Sequence, residues 1–204
     1  MARATHVVAV ITGQLMGNRE DGYMVQGQPQ TPEFEHMAVM CLGNLLLGDE
    51  GLGPAVARRL LERYEFPSCV DVLDCGVMGF ALMDEFERHD YILTVDAVCG
   101  TGEEPGTVFT FGPDDIAAPQ GVRSAHDTRF ADVLSACRLV GFEPVGECIG
   151  VQVAELDDTS PHIGLSPQLE AALPLVCETV LATLVRHGVR DIVDKDTGEK
   201  VAPR

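Results

Sequence analysis

The chain has 204 residues, 46% of them hydrophobic, which suits one compact domain because domains of about 100 to 200 residues are typical. Its formal net charge of −18 argues against non-specific binding to nucleic acid or to an anionic membrane. Metal cations or a basic peptide are the partners that this charge favours, with plain solubility as the alternative. No uninterrupted apolar run approaches the roughly 18 to 20 residues that span a membrane, so we expect a cytoplasmic protein.

Cysteine usage points to the same compartment. The chain has seven cysteines without a C-x-x-C pair, and most of them lie inside apolar runs. Small core residues in a reducing cytoplasm show this pattern. We therefore expect neither a disulfide framework nor a zinc knuckle.

The two ends of the chain differ in composition from its centre. Most of the first 36 residues are rich in Gly, Gln and Pro and have no hydrophobic period, which predicts a loosely structured extension over residues 1–36. Regular patterning begins at Met37 and predicts a single domain over residues 37–192. The polar residues 193–204 predict a frayed tail.

Within the domain, apolar runs alternate with amphipathic segments. The expected elements are a strand at 38–43, a helix at 52–64, a strand at 69–74, a helix at 79–89 and a strand at 91–98. This βαβαβ order predicts a parallel sheet. Residues 107–111 follow after a short Gly-rich loop that leaves no room for a crossover helix, so this strand should pair antiparallel at an edge.

The remaining predicted elements are a helix at 127–140, a strand at 148–156 and a final helix that begins after the N-cap Ser166 and ends before Gly188. Together the pattern predicts an α/β fold. Its architecture should be a three-layer sandwich in which helices cover both faces of a twisted, mostly parallel sheet with one antiparallel edge strand.

The turn between the first strand and the first helix reads "LGNLLLGDEGLG" from Leu42 to Gly53. Glycine-rich turns at this position usually bind phosphate through backbone amides at the helix start. These glycines do not follow the order G-x-G-x-x-G, and Asp49 and Glu50 would repel a phosphate. A nucleotide-binding module is therefore disfavoured.

Three polar residues are expected at the carboxyl ends of the strands, where open α/β sheets place their functional crevice. Glu50 follows the first strand, Asp96 ends the third, and His126 precedes a helix. Two carboxylates and an imidazole suit a divalent ion such as zinc or nickel, with positions left open for a substrate. Each has a structural alternative: Glu50 could stabilise a helix start and His126 could be a loop residue.

Two further residues are candidates at the same edge. Asp74 ends the second strand and either takes a direct role or caps the following turn. His162 in "SPHIGLSP" is interpreted as part of a structural turn with a possible peptide contact. No motif of a serine or zinc peptidase is present, and core packing explains Cys41 and Cys99 better than a nucleophilic role.

Several of these segments together resemble the hydrogenase maturation endopeptidases, which trim the large subunit of nickel-iron hydrogenases. The resemblance spans about Met37 to Gly188 and rests on these segments in the order of the family: "LGNLLLGDEGLG", "LDCGVMG", "TVDAV", "PGTVF", "SAHD" and "SPHIGLSP". It implies that Glu50, Asp96 and His126 recognise nickel. Asp127 departs from the pattern, since many members have an amide there.

The resemblance also implies an aspartic-type endopeptidase that cuts near the carboxyl terminus of the nickel-loaded precursor of the large subunit. Nickel would come with the substrate, so we expect no tightly held cofactor. We expect a monomer that binds neither nucleic acid nor membrane. Either the metal activates a water, with Glu50 and Asp96 at the reaction centre, or Asp74 acts as general base. The functional alternative is a non-catalytic, nickel-sensing assembly chaperone.

Overall fold

The computed structural model describes residues 9–10, 32–77, 82–111, 123–124, 138–139, 141, 145–155 and 161–202. The strands are β1 (Ala9–Val10), β2 (Met37–Leu42), β3 (Tyr64–Glu65), β4 (Val70–Gly76), β5 (Tyr91–Cys99), β6 (Val108–Phe111), β7 (Arg123–Ser124), β8 (Gly146–Gln152) and β9 (Val193–Asp194). The helices are α1 (Leu52–Arg63), α2 (Met83–Arg88) and α3 (Pro167–Arg186), and a 3-10 helix covers Gly48–Gly51.

The main sheet has the order β1-β6-β8-β5-β2-β4, with β7 paired to β5. Strands β4, β2, β5 and β8 run parallel to one another, and β6 is antiparallel to β8. The predicted mixed sheet is thus confirmed, and β1 adds two residues in parallel beyond β6. The predicted helix at 127–140 lies almost wholly outside the described residues.

Helices cover both faces of this sheet, as predicted. Leu52 and Leu60 of α1 and Leu184 of α3 belong to one hydrophobic cluster with the odd-numbered residues of β2. Phe86 of α2 belongs to a second cluster with the even-numbered ones. The central strands are apolar on both faces because both are covered.

Helix α3 is the core helix of the larger cluster. It starts as predicted, with the Ser166 hydroxyl accepting a hydrogen bond from the Leu169 amide at 3.4 Å. By length and composition alone it could cross a membrane, but 56% of its most apolar 18-residue window is buried within the protein. Its apolar character is therefore explained by packing against the sheet.

The chain after Ile192 is ordered by pairing, contrary to the expected frayed tail. Strand β9 pairs antiparallel with β3 at the end of α1. The Arg63 guanidinium donates to the Asp194 carboxylate at 3.0 Å, and the Lys195 amide donates to the Arg63 carbonyl at 2.8 Å. These non-local bonds hold a segment whose polar composition alone predicts fraying.

At the amino ends of the strands, Glu147 on β8 is the centre of a polar cluster. Both of its carboxylate oxygens accept from Arg186 at 2.6 Å, and Tyr91 donates to it at 3.1 Å. Partial burial alone would raise the pKa of Glu147, but the Arg186 charge and the hydrogen bonds from His187, Arg186 and Tyr91 outweigh it and lower the pKa. The cluster therefore stabilises the ionised carboxylate.

Residues 32–36 pack against this same cluster. The Glu33 carboxylate lies 2.7 Å from Nδ1 of His187, and the Phe34 ring lies 4.8 Å from that of Tyr91. The Asp90 carboxylate accepts the amides of Glu35 and His36. The expectation of a loose extension up to residue 36 thus fails for residues 9–10, which pair with β6, and for residues 32–36, which contact the domain through an aromatic ring and a carboxylate–imidazole contact.

Candidate functional site

The acidic turn, residues 43–51, connects β2 to α1 and is closed by its own hydrogen bonds. The Asn44 amide donates to the Glu50 carbonyl at 3.0 Å, and the Asn44 side chain accepts the Leu46 amide at 3.0 Å. Gly43 has a φ of +151°, and a Cβ there would lie 2.1 Å from the Glu50 carbonyl oxygen. The turn therefore requires glycine at this position to bring Glu50 back to the strand end.

The two acids of the turn have different environments. The Asp49 carboxylate accepts the Ser166 amide at 2.6 Å, at the start of α3, where a negative charge is favourable. Glu50 is buried, with 5% of its surface exposed. The structure thus gives Asp49 a contact with the start of α3 and buries Glu50 within the turn.

Asp96 lies on β5 where the pairing of β2 has just ended. The last pair between β2 and β5 is Cys41 with Val95, one residue before Asp96. Its carboxylate accepts the Ala97 amide at 2.8 Å, and the residue is half-buried. Because β8 continues on one side of β5, the strand β7 must take the side that β2 has vacated, with Ser124 opposite Val98.

Glu50 and Asp96 are brought to the same edge. The 3-10 helix that carries Glu50 contacts β5, and both residues lie at the carboxyl end of the parallel strands. His126 lies outside the described residues. Within the described ranges, no group of three His, Cys, Asp or Glu side chains is arranged to hold a metal ion.

Asp74 is at the same end of the sheet but on its other face. Its neighbours Leu73 and Cys75 pack in the hydrophobic cluster that contains Phe86 of α2. The neighbours of Asp96 pack in the other cluster, which contains the residues of α1. Since successive side chains alternate, Asp74 and Asp96 leave the sheet in opposite directions. The exposed Asp74 carboxylate accepts the Gly76 amide at 3.2 Å, as a turn-capping residue does.

The loop at residues 161–166 braces the acidic turn. The His162 amide donates to the Leu46 carbonyl at 2.7 Å, and the Gly48 amide donates to the His162 carbonyl at 2.5 Å. The His162 side chain is exposed. His162 thus lies at the border of the site with its backbone engaged and its imidazole open to a ligand.

Cys41 borders this edge but does not have the properties of a nucleophile. It is fully buried, and burial raises the pKa of its thiol well above the ordinary value. The thiol is therefore neutral at physiological pH, and only a thiolate is a strong nucleophile. This finding agrees with the core role expected from the sequence.

Two contributors to the site went unrecognised in the sequence. The Asn44 side chain holds the acidic turn, and the Ser166 amide binds the Asp49 carboxylate, which distinguishes Asp49 from Glu50. The Gly-Asn dipeptide at residues 43–44 is a turn signal that could have identified the first. No local signal links Asp49 to a residue 117 positions away.

Comparison with known proteins gives consistent matches. The sequence model of the family described as hydrogenase maturation protease (HycI) matches residues 54–183. The hydrogenase 2 maturation protease of Escherichia coli strain K12 is 35% identical over 156 residues, which is 76% of this chain and 93% of that relative. The hydrogenase expression/formation protein HupM of Azotobacter chroococcum is 34% identical over a match that spans 85% of this chain and 83% of that relative.

Solved structures agree with these matches. The hydrogenase maturating endopeptidase HybD from E. coli superposes with a TM-score of 0.71 at 33% identity, covering 79% of this chain and 99% of that one. The [NiFe] hydrogenase maturation protease HybD from Thermococcus kodakarensis has a TM-score of 0.61 at 23% identity and covers 73% of this chain and 99% of that one. The second match shows similarity of fold alone.

Proposed function

Because this chain belongs to the hydrogenase maturation protease family and is an endopeptidase, we propose that it removes a C-terminal peptide from the large-subunit precursor of a nickel-iron hydrogenase after nickel insertion. The observation that supports the proposal is that Glu50 and Asp96 both lie at the carboxyl edge of the sheet, where the 3-10 helix that carries Glu50 contacts β5. We expect the reaction to occur in the cytoplasm, with the enzyme as a monomer. The names of the family and of its E. coli relative favour a protease over the chaperone alternative.

The proposed contact to the substrate's nickel consists of Glu50, Asp96 and His126. Strand β7 runs antiparallel to β5, so the chain at Ser124 is heading from Val98 towards Asp96, and His126 follows two residues later in the sequence. This direction supports His126 as the third ligand. Two carboxylates and one imidazole, without a thiolate, form an incomplete donor set for nickel, which the substrate's own ligands would complete.

The protein's groups must also handle the protons of peptide hydrolysis. Water adds to the scissile carbonyl, and the proton it loses ends on the leaving amine. Nickel at this site would polarise the carbonyl as a Lewis acid. As bases we propose Glu50 or Asp96, in keeping with an aspartic-type enzyme; the contact of Asp74 with Gly76 supports a capping role for Asp74.

The test is to incubate the protein with nickel-loaded precursor and weigh the products by mass spectrometry. Glu50→Gln, Asp96→Asn and His126→Ala should each abolish processing while the variants melt as folded proteins. The nickel-free precursor in chelator should stay intact. Efficient cleavage of that nickel-free precursor, or wild-type rates in all three variants, would refute the proposal.

A further inference from the structure

Three large apolar side chains beside the site are exposed to solvent. Leu45 and Leu46 in the acidic turn are 51% and 57% exposed, and Ile163 in the adjacent loop is 77% exposed. We refer to these three residues as the apolar rim. Glu50 lies in the same turn as the two leucines, so the rim borders the proposed reaction centre.

The backbone holds the apolar rim in this exposed position. The Leu46 amide is bound by the Asn44 side chain, and the Leu46 carbonyl by the His162 amide. These bonds hold the turn and the loop against each other. A preorganised apolar surface loses little conformational entropy when a partner covers it, which favours a binding role.

The surroundings of the rim carry negative charge. The carboxylates of Asp74, Asp96, Glu103 and Glu104 lie on the ends of β4 and β5 or on the loop that follows β5. Apart from Arg123 on β7, the described segments at this edge, residues 43–51, 74–77, 94–107, 150–155 and 161–166, contain no Lys or Arg. A partner that covers the rim therefore meets an apolar surface inside a negative field.

We propose that the apolar rim docks the precursor subunit through a polypeptide segment in which apolar side chains stand beside Lys or Arg. The inference rests on the proposed function for the identity of the partner. It adds that recognition does not depend on the nickel centre alone. The leucines and Ile163 supply affinity, and the surrounding carboxylates select a basic segment and speed its approach.

Binding can be measured apart from cutting with the nickel-free precursor, which should remain intact. Leu46→Ser and Ile163→Ser should each raise Kd about fivefold, the loss expected when an exposed aliphatic side chain is no longer there to be partly buried on binding. Leu61→Ser is the matched control, because Leu61 is 47% exposed near the other end of α1 and should change Kd less than about twofold. Raising the salt concentration should weaken binding to the wild type and to Leu46→Ser alike.

Kinetics on the nickel-loaded precursor give the second readout. The rim variants should raise KM about fivefold with unchanged kcat, the signature of lost uniform binding. Kd values equal to that of Leu61→Ser, or no binding of precursor to the wild type, would overturn the docking role even if processing proceeds. Rim-dependent binding without any cleavage would instead support docking and refute the protease proposal. Concentration-dependent dimers that Leu46→Ser abolishes would assign the rim to a second copy of this chain and overturn the inference.

Discussion

Asp49 and Glu50 are adjacent carboxylates, and removing one should affect stability whereas removing the other should affect processing. Asp49→Ala deletes the acceptor of the Ser166 amide, a contact of 2.6 Å between the acidic turn and the start of α3. It should therefore lower stability. Glu50→Gln keeps the volume of a side chain that is 5% exposed and removes its charge, so it should abolish processing in a protein that still folds.

The size of the Asp49 effect follows from its contact. A hydrogen bond to a charged group contributes about 1.5–3 kcal/mol, and a negative charge at a helix start contributes about 0.3–1 kcal/mol. Ser166 is half-buried, so water replaces part of the lost bond. We expect Asp49→Ala to cost about 2 kcal/mol, which for a chain of this length lowers Tm by about 4–8 °C. Asp49→Asn retains an acceptor oxygen and should cost about half as much.

Thermal melts and processing assays on the same preparations separate the two residues. Glu62→Ala, which removes an exposed carboxylate from α1, controls for the change in net charge. Asp49→Ala should retain the wild-type kcat below its lowered melting temperature. If it instead melted like Glu62→Ala and lost processing, Asp49 would belong to the reaction centre and the division between the two acids would be wrong.

Three further predictions address other parts of the chain. The pKa of Glu147 is lowered in the folded protein, so the stability that it contributes is present above its unfolded pKa of about 4.3 and is lost as pH falls through the folded pKa. In urea unfolding, the excess stability of wild type over Glu147→Gln should therefore shrink below about pH 5, and a constant difference would contradict this. A chain starting at Pro32 should process like the full protein and lose only the two-residue pairing of β1 with β6, whereas one starting at Met37 should lose about 2 kcal/mol more because it also lacks the Phe34 contacts; equal melting of these two shortened chains would show that the Phe34 contacts contribute nothing. Asp74→Asn should lower stability by about 1 kcal/mol and spare the processing rate, and a large loss of kcat would restore Asp74 as the base.

The sheet could be predicted because its strands are locally encoded. Residues 37–42 and 91–99 are apolar on both faces, a pattern typical of parallel strands that are covered on both sides. The amphipathic segment between them predicts the helix that connects parallel strands. Strand β9 could not be predicted in the same way. Its two residues, Val193 and Asp194, begin a mostly polar segment, and what orders them is the pairing with Tyr64–Glu65 far away in the chain.

The positions of the candidate site residues were predictable in part, and their roles stay predictions. Glu50 and Asp96 were chosen by the rule that chemistry collects at the carboxyl ends of parallel strands; the structure has Asp96 just beyond the last β2–β5 pair and Glu50 in the 3-10 helix after β2. The rule could not separate Asp49 from Glu50, since their difference arises from the fold around Ser166. Nor could it place Asp74 on the opposite face, because a strand's register and facing are fixed only when its neighbours are known.

The two ends of the sheet differ in how their carboxylates are used, and this difference has a consequence for mutation. At the amino end, Glu147 is held by Arg186, Tyr91 and His187, so substitutions there should act on stability. At the carboxyl end, the described segments around Glu50 hold carboxylates and exposed leucines with few cations near them, an arrangement that costs stability through like-charge repulsion. Such a cost is retained where a cationic partner offsets it on binding. Neutralising Glu103 or Glu104, which are exposed at this end and take no part in the capping contact of Asp74 or the helix contact of Asp49, should therefore stabilise the free protein while weakening its hold on the precursor.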